Sequence, residues 1–176
     1  MSTVQEADAL CQLMLDAPPG TRIEFGVYQG HNLLEMAQHG GLTIGVDSFC
    51  GMPPSTDRDR KDGQDPYYAG RLSISLDLVQ KYLHGVKNVR LVQGWVPDVL
   101  DDIKESGFAF AYVDMDQYDS TLAALRWLET RMIPGGIICC DDWIKGRDWL
   151  AGGAINEFAK TRPLTGTCGR VAWFCF

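Results

Sequence analysis

Residues 22–30 read Arg22-Ile23-Glu24-Phe25-Gly26-Val27-Tyr28-Gln29-Gly30, an apolar run that enters a loop with glycines four residues apart. Glycine there lets the backbone turn closely and leaves the N–H groups of a following helix free. Residues 32–38 have helical character, Gly40 and Gly41 close them, and residues 42–46 form a second apolar run. The segment is therefore a βαβ unit with a short return. Upstream, residues 4–14 predict a helix with Ala9, Leu10, Leu13 and Met14 on one face, stopped by Pro18-Pro19-Gly20 before the first strand at 22–27. Downstream the reading is a helix over 73–83, a strand over 89–93, a helix over 97–106 and an apolar strand over 108–113. A helix capped by Ser120 then runs to about Met132, followed by a strand over 137–140 and a helix that includes 155–160. Residues 164–168 and 170–176, joined at Gly169, read as a terminal hairpin. This alternation predicts an α/β fold: a Rossmann-like, doubly wound, seven-stranded sheet. Its parallel strands take the order 3-2-1-4-5, with the antiparallel hairpin at one edge.

The length of 176 residues predicts one domain spanning 1–176. Within it, residues 48–71 hold several Gly, Pro and Asp residues without periodicity, and read as a substrate or lid loop. Hydrophobic residues at 45% and charged residues at 22% suit a packed core and exclude global disorder. Sixteen Lys and Arg against 23 Asp and Glu, a formal charge of -7, disfavour a nucleic-acid partner. No apolar run approaches the roughly 18 residues of a membrane span, so no membrane partner is expected. The first fifteen residues carry Glu6 and Asp8 and show no basic leader. The six cysteines lack CxxC spacing, and Cys139 and Cys140 should face opposite sides of a strand. Reduced thiols in a cytoplasmic protein are expected, and a homo-oligomer is left open.

Glu24 precedes the glycine turn, and the GxGxxG of a dinucleotide fold is missing its first glycine. A carboxylate at that point suits an ammonium or ribose hydroxyls better than a pyrophosphate. Asp47 ends the second strand about 20 residues after the turn, where an acidic side chain accepts from ribose hydroxyls. Glu24, Gly26, Gly30 and Asp47 together suit a nucleoside with a cationic tail.

With these residues the chain resembles the class I S-adenosylmethionine (SAM)-dependent methyltransferases, and among them the macrocin-type sugar O-methyltransferases. The resemblance rests on the Glu24-to-Gly30 loop and on Asp47-Ser48-Phe49-Cys50-Gly51-Met52-Pro53. It extends through Gly94-Trp95-Val96-Pro97-Asp98-Val99-Leu100 and Asp114-Met115-Asp116-Gln117-Tyr118-Asp119-Ser120-Thr121. It ends at Pro134-Gly135-Gly136 and Asp141-Asp142-Trp143. The motifs stand in the family's order across roughly residues 22–145; Pro97, Val99 and Asp101 depart from its third motif. The resemblance implies SAM as cofactor and a small-molecule hydroxyl acceptor: a sugar, a polyol or a natural-product glycoside. Glu24 and the backbone at Gly26 would hold the methionine portion and Asp47 the ribose. Ser48, Gln93, Gly94 and Trp95 would border the adenine.

The carboxylates add a mechanism. Asp114 ends the fourth strand and Asp141 with Asp142 the fifth. Neighbouring strands lie about 4.8 Å apart, so with Asp116 they crowd one sheet edge and need a cation. Lys145, Arg147 or a metal could supply it; all-oxygen donors suit Mg²⁺ or Ca²⁺. The expected metal ligands are Asp114, Asp141 and Asp142. The expected base, taking the proton of a hydroxyl acidified by the metal, is Asp116 or Asp114. Tyr67 and Tyr68 offer stacking surfaces, and His31 could serve as a base, a donor to the SAM carboxylate or a cap. Two other classes stay open: a non-catalytic SAM-binding domain, which needs no acidic cluster, and a nucleotide-binding oxidoreductase, against which Glu24 argues.

Overall fold

The computed structural model describes residues 3–176. Seven strands, β1 (Thr21–Phe25), β2 (Thr43–Asp47), β3 (Val89–Gln93), β4 (Phe108–Val113), β5 (Met132–Cys140), β6 (Gly166–Cys168) and β7 (Val171–Cys175), form one sheet. Its order is β3-β2-β1-β4-β5-β7-β6, with the first five parallel and β7 and β6 antiparallel at the edge, as expected. The helices are α1 (Val4–Asp16), α2 (His31–Gln38), α3 (Leu76–Tyr82), α4 (Tyr118–Glu129) and α5 (Leu150–Phe158).

Strand β4 is buried along its whole length, and its side chains divide between two cores. Phe110 and Tyr112 pack with Leu10, Leu13 and Met14 of α1, whereas Phe108, Ala111 and Val113 pack toward Leu125, Leu128 and Ile155 of α4 and α5. Cys139 and Cys140 split in the same way, one to each core, and all six cysteines are free thiols. A strand covered on both faces needs apolar residues at successive positions, which is why these runs do not alternate with polar ones.

Helix α1 begins with a capping box. The Glu6 N–H donates to Thr3 Oγ1 at 3.3 Å, and the Thr3 N–H donates to Glu6 Oε2 at 2.5 Å. Near its other end Arg22, 3% exposed, donates to the Met14 carbonyl at 3.2 Å.

Three expectations change. Residues 97–106 form no helix beyond a 3₁₀ turn at Leu100–Asp102. Residues 96–99 turn tightly into it, with the Val99 N–H donating to the Trp95 carbonyl at 3.1 Å and the Leu100 N–H to the Pro97 carbonyl at 3.0 Å, and residues 103–107 lead into β4 without regular structure. Val96, Val99, Leu100 and Ile103 are buried in the core, so their packing sets the course of the segment. Second, α4 begins at Tyr118 with Gln117 as its N-cap, and Ser120 lies inside the first turn, donating to the Gln117 carbonyl at 3.3 Å. Third, β5 starts five residues early at Met132, which pairs with Phe108 across a register shift.

The parallel register places the site. Phe25 pairs with Val46 on one side and Val113 on the other, and Val113 pairs with Cys140. One step further along each strand stand Asp47, Gly26, Asp114 and Asp141, a level row across the carboxyl edge. Gly26 lies at φ +89°, and a Cβ there would come within 1.9 Å of the Asp114 carbonyl oxygen. Gly26→Ala should lower stability by more than about 3 kcal/mol in urea unfolding, since a main-chain atom must move. Gly40→Ala, also at positive φ (+78°) but with nothing within 4 Å, should cost only about 1 kcal/mol.

Candidate active site

A cleft of about 310 Å³ opens over the carboxyl ends of the parallel strands. Gly26, Asp47, Ser48, Gly94 and Trp95 line one part of it; Tyr67, Asp114, Asp116, Asp141 and Arg170 line the other.

In the first part, Asp47 is a clamp as well as a lining group. Its Oδ2 accepts from the N–H groups of Val27 and Tyr28, both at 2.9 Å, and its Oδ1 from that of Phe49 at 2.8 Å. A carboxylate has about four acceptor positions, so roughly one remains for a ligand hydroxyl where two were expected. Glu24 is sealed beneath the glycine loop at 1% exposure and is not a lining residue. Its Oε2 has no hydrogen-bond partner. Burial, reinforced by the charge of Asp47, pushes its carboxyl well above the usual range. Gly30, left-handed at φ +85°, begins α2. Ser48 Oγ donates to the Gly51 carbonyl at 2.7 Å, and so does Trp95 Nε1 at 3.2 Å. Gln93 donates to the Ser48 carbonyl at 3.2 Å but does not line the cleft. His31 is exposed, stacks edge-on against Tyr82 and does not line the cleft either.

In the second part, the carboxylates whose oxygens converge within 4.8 Å are Asp114, Asp116 and Asp142. Asp141 borders the cleft but is not one of the three, so Asp116 takes the place expected for Asp141. Burial raises Asp114 well above its usual range, with Asp141, Asp116 and Glu24 adding like-charge repulsion. Burial likewise pushes Asp116 up to about 6, against the opposing pull of a hydrogen bond from Tyr67. Burial raises Asp141 as well, and Arg170 opposes it. The Tyr67 hydroxyl also makes a long 3.4 Å contact to Asp142 Oδ2. Asp116 and Asp142 both adopt left-handed backbone, at φ +60° and +63°, uncommon outside glycine but better tolerated by Asp than by most residues.

The 48–71 segment forms a fastened wall. At its neck the Met52 N–H donates to the Arg71 carbonyl and the Gly70 N–H to the Met52 carbonyl, each at 2.9 Å. In its middle the Gln117 amide donates to the Pro53 and Tyr67 carbonyls at 3.1 and 2.9 Å. Asp59, 1% exposed, accepts the Tyr118 N–H at 2.8 Å, so the loop caps α4. At its tip Lys61 pairs with Asp148 at 2.6 Å and Arg58 with Glu157 at 3.2 Å. Tyr118 packs in the core beneath and does not reach the cleft.

Sequence reading missed Asp59, Gln117 and Arg170. The cluster's paired cation is Arg170, in the β6–β7 turn, and not Lys145 or Arg147. Its only local signal is a cation after a turn glycine, a common pattern; adjacency to Asp142 comes from a hairpin 28 positions later in the chain.

A family model described as Macrocin-O-methyltransferase (TylF) matches residues 1–176. The chain is similar to the 8-demethyl-8-(2,3-dimethoxy-alpha-L-rhamnosyl)-tetracenomycin-C 4'-O-methyltransferase of Streptomyces olivaceus. Identity is 30% over 148 residues, covering 74% of this chain and 56% of that protein. It is also similar to the mycinamicin III 3''-O-methyltransferase of Micromonospora griseorubida, 30% identical over 144 residues, 73% of this chain and 57% of that one. The chain thus spans a little over half the length of these curated relatives. Among solved structures, the O-methyltransferase NovP superposes with a TM-score of 0.82 at 21% identity, over 98% of this chain and 79% of that one.

The raised carboxyl of Asp116 has a consequence for stability. Between its ordinary value of 3.8 and about 6, the folded state holds a proton that the unfolded state has released. Its contribution is therefore present below pH 4 and lost as pH rises through 6. In chelator, Asp116→Asn should gain stability relative to the native chain over that window, by about 2 to 3 kcal/mol. Paired thermal melts from pH 4 to 7 measure this; a constant difference would contradict it.

Proposed function

Because the chain belongs to the macrocin-O-methyltransferase family, we propose that it transfers a methyl group from SAM to a hydroxyl of a sugar, polyol or natural-product glycoside. The observation that carries this reading is the juxtaposition of three carboxylates within 4.8 Å with a cleft that also takes in Gly26 and Asp47. The two curated relatives are named as a 4'-O-methyltransferase of a rhamnosyl tetracenomycin and a 3''-O-methyltransferase of mycinamicin III, which supports the acceptor class.

The residues present fit both groups that the proposed reaction would use. Converging carboxylate oxygens are the hard donors that Mg²⁺ or Ca²⁺ prefers. The unpartnered carboxylate oxygen of Glu24 would accept the ammonium of SAM if the glycine loop above it opened, and that contact would restore the charged form of Glu24. When bound, SAM supplies an electrophilic methyl group and the divalent ion supplies Lewis acidity for a hydroxyl.

The chain's own residues supply the rest. The Gly26 backbone admits the methionine portion, Asp47 accepts one ribose hydroxyl, and Ser48, Gly94 and Trp95 border the base, with Gln93 bracing Ser48 from behind. Asp114 and Asp142, with Asp116 or Asp141, would hold the ion. Asp116, whose carboxyl burial pushes up to about 6, would take the acceptor proton as the base. Tyr67 steadies Asp116 and Asp142, and the fastened 48–71 wall keeps the acceptor in line with the methyl group. The unpaired thiols support a reducing, cytoplasmic setting.

Calorimetric titration with SAM, followed by methyl transfer to a panel of deoxysugar and glycoside acceptors, tests the reading. SAM should bind with and without chelator, whereas transfer should need the divalent ion. Asp114→Asn should leave SAM affinity within about threefold and lower kcat at least about a hundredfold. Failure to bind SAM would overturn the reading. Full turnover in chelator would remove the ion and return the carboxylates to direct base catalysis.

A further inference from the structure

We propose that Arg170 is the resident cation of the carboxylate cluster and that it exchanges with the divalent ion at Asp142. This deepens the metal part of the proposed function and rests on it. Arg170 Nη2 pairs with Asp142 Oδ1; among the described residues, this is the only ion pair made by any of Asp114, Asp116, Asp141 and Asp142. Arg71, the other arginine lining the cleft, donates to the Pro66 carbonyl and lies over the Tyr67 ring at 5.2 Å.

The main chain of Arg170 is held from two sides. Its N–H donates to Glu6 Oε1 at 2.6 Å, and its carbonyl accepts the N–H of Trp143, the residue after Asp142, at 2.8 Å. Glu6 is 4% exposed, and a Cβ on Gly169 would lie 2.3 Å from its Oε1, so helix α1 fills the space above the turn. The side chain is freer: 44% exposed, against 9% for that of Asp142. A long flexible stem on an immobile backbone lets the guanidinium leave Asp142 while the turn stays in place.

The contact also competes electrostatically with an ion. Asp142 Oδ1 faces the guanidinium, and Asp142 is one of the three carboxylates that converge. A divalent ion bound there would stand beside a like charge in a partly buried cleft, where screening is weak. Without the ion, Arg170 holds Asp142 in position; with it, Arg170 turns outward to the cleft wall.

The test is Mn²⁺ binding to the chelator-stripped full chain by calorimetry, without SAM. Arg170→Gln should tighten Mn²⁺ binding by about tenfold, and Arg170→Lys, which loses the planar fork but keeps the charge, should fall between. Unchanged or weaker binding in folded Arg170→Gln would overturn the exchange and leave the proposed function standing. A double-mutant cycle of Arg170→Gln and Asp142→Asn, melted in chelator, reads the ion pair without metal. If it shows coupling while neither the native chain nor Arg170→Gln binds Mn²⁺, Arg170 is a permanent counter-ion; exchange and the metal reading then fail together, leaving SAM binding to be judged separately. Absence of coupling in the cycle would also overturn the proposal.

Discussion

The carboxyl ends of β2, β1, β4 and β5 stand level, and the cleft depends on the contact at the middle of that row, where Gly26 meets the Asp114 carbonyl. Any side chain at position 26 would drive strand ends β1 and β4 apart. The same turn is gripped from the other side by Asp47, whose carboxylate takes three main-chain N–H groups. A glycine that looks like an opening for a ligand is thus equally a packing requirement. The ligand's share of that loop is what the backbone contacts leave over.

Bringing the strand ends level has an electrostatic cost. Asp114, Asp116, Asp141 and Asp142 all follow β4 or β5 and meet in a partly buried volume; burial favours the protonated forms of Asp114, Asp116 and Asp141, and like-charge repulsion adds to it at Asp114 and Asp116. Arg170 answers part of that charge from the hairpin edge, under the hold of Glu6 in α1. The amino-terminal helix and the carboxyl-terminal hairpin therefore meet at the acidic end of the cleft, although neither carries a carboxylate of the cluster.

The 48–71 wall shows how buried polar groups order a segment that lacks regular structure. Asp59 and Gln117, 1% and 3% exposed, replace the backbone pairing that a helix or strand would provide. They attach the loop to the start of α4, immediately after Asp116. The wall and the acidic cluster consequently share one anchor, and displacement of either would disturb the other.

Apolar runs buried on both faces, bounded by glycine and proline, were enough to read the strand order and the terminal hairpin from the sequence, because each rests on local pattern and on the handedness of crossovers. Gly26, Asp47 and the carboxylates after β4 and β5 were legible for a related reason: strand ends are where parallel sheets expose side chains, whereas Glu24, inside β1, is sealed beneath the glycine loop. The missing helix over 97–106 was not legible, since its apolar spacing is helical and the tight turns that replace it are set by the packing of Val96, Val99, Leu100 and Ile103 in the core. Nor could sequence tell that Asp47 is mostly occupied by backbone, that Asp116 converges with Asp114 and Asp142 while Asp141 stands aside, or that Asp59, Gln117 and Arg170 belong with the site. These depend on contacts between segments far apart in the chain and on a degree or two of freedom at left-handed residues such as Asp116 and Asp142. Side-chain direction there is set by what the completed fold leaves room for.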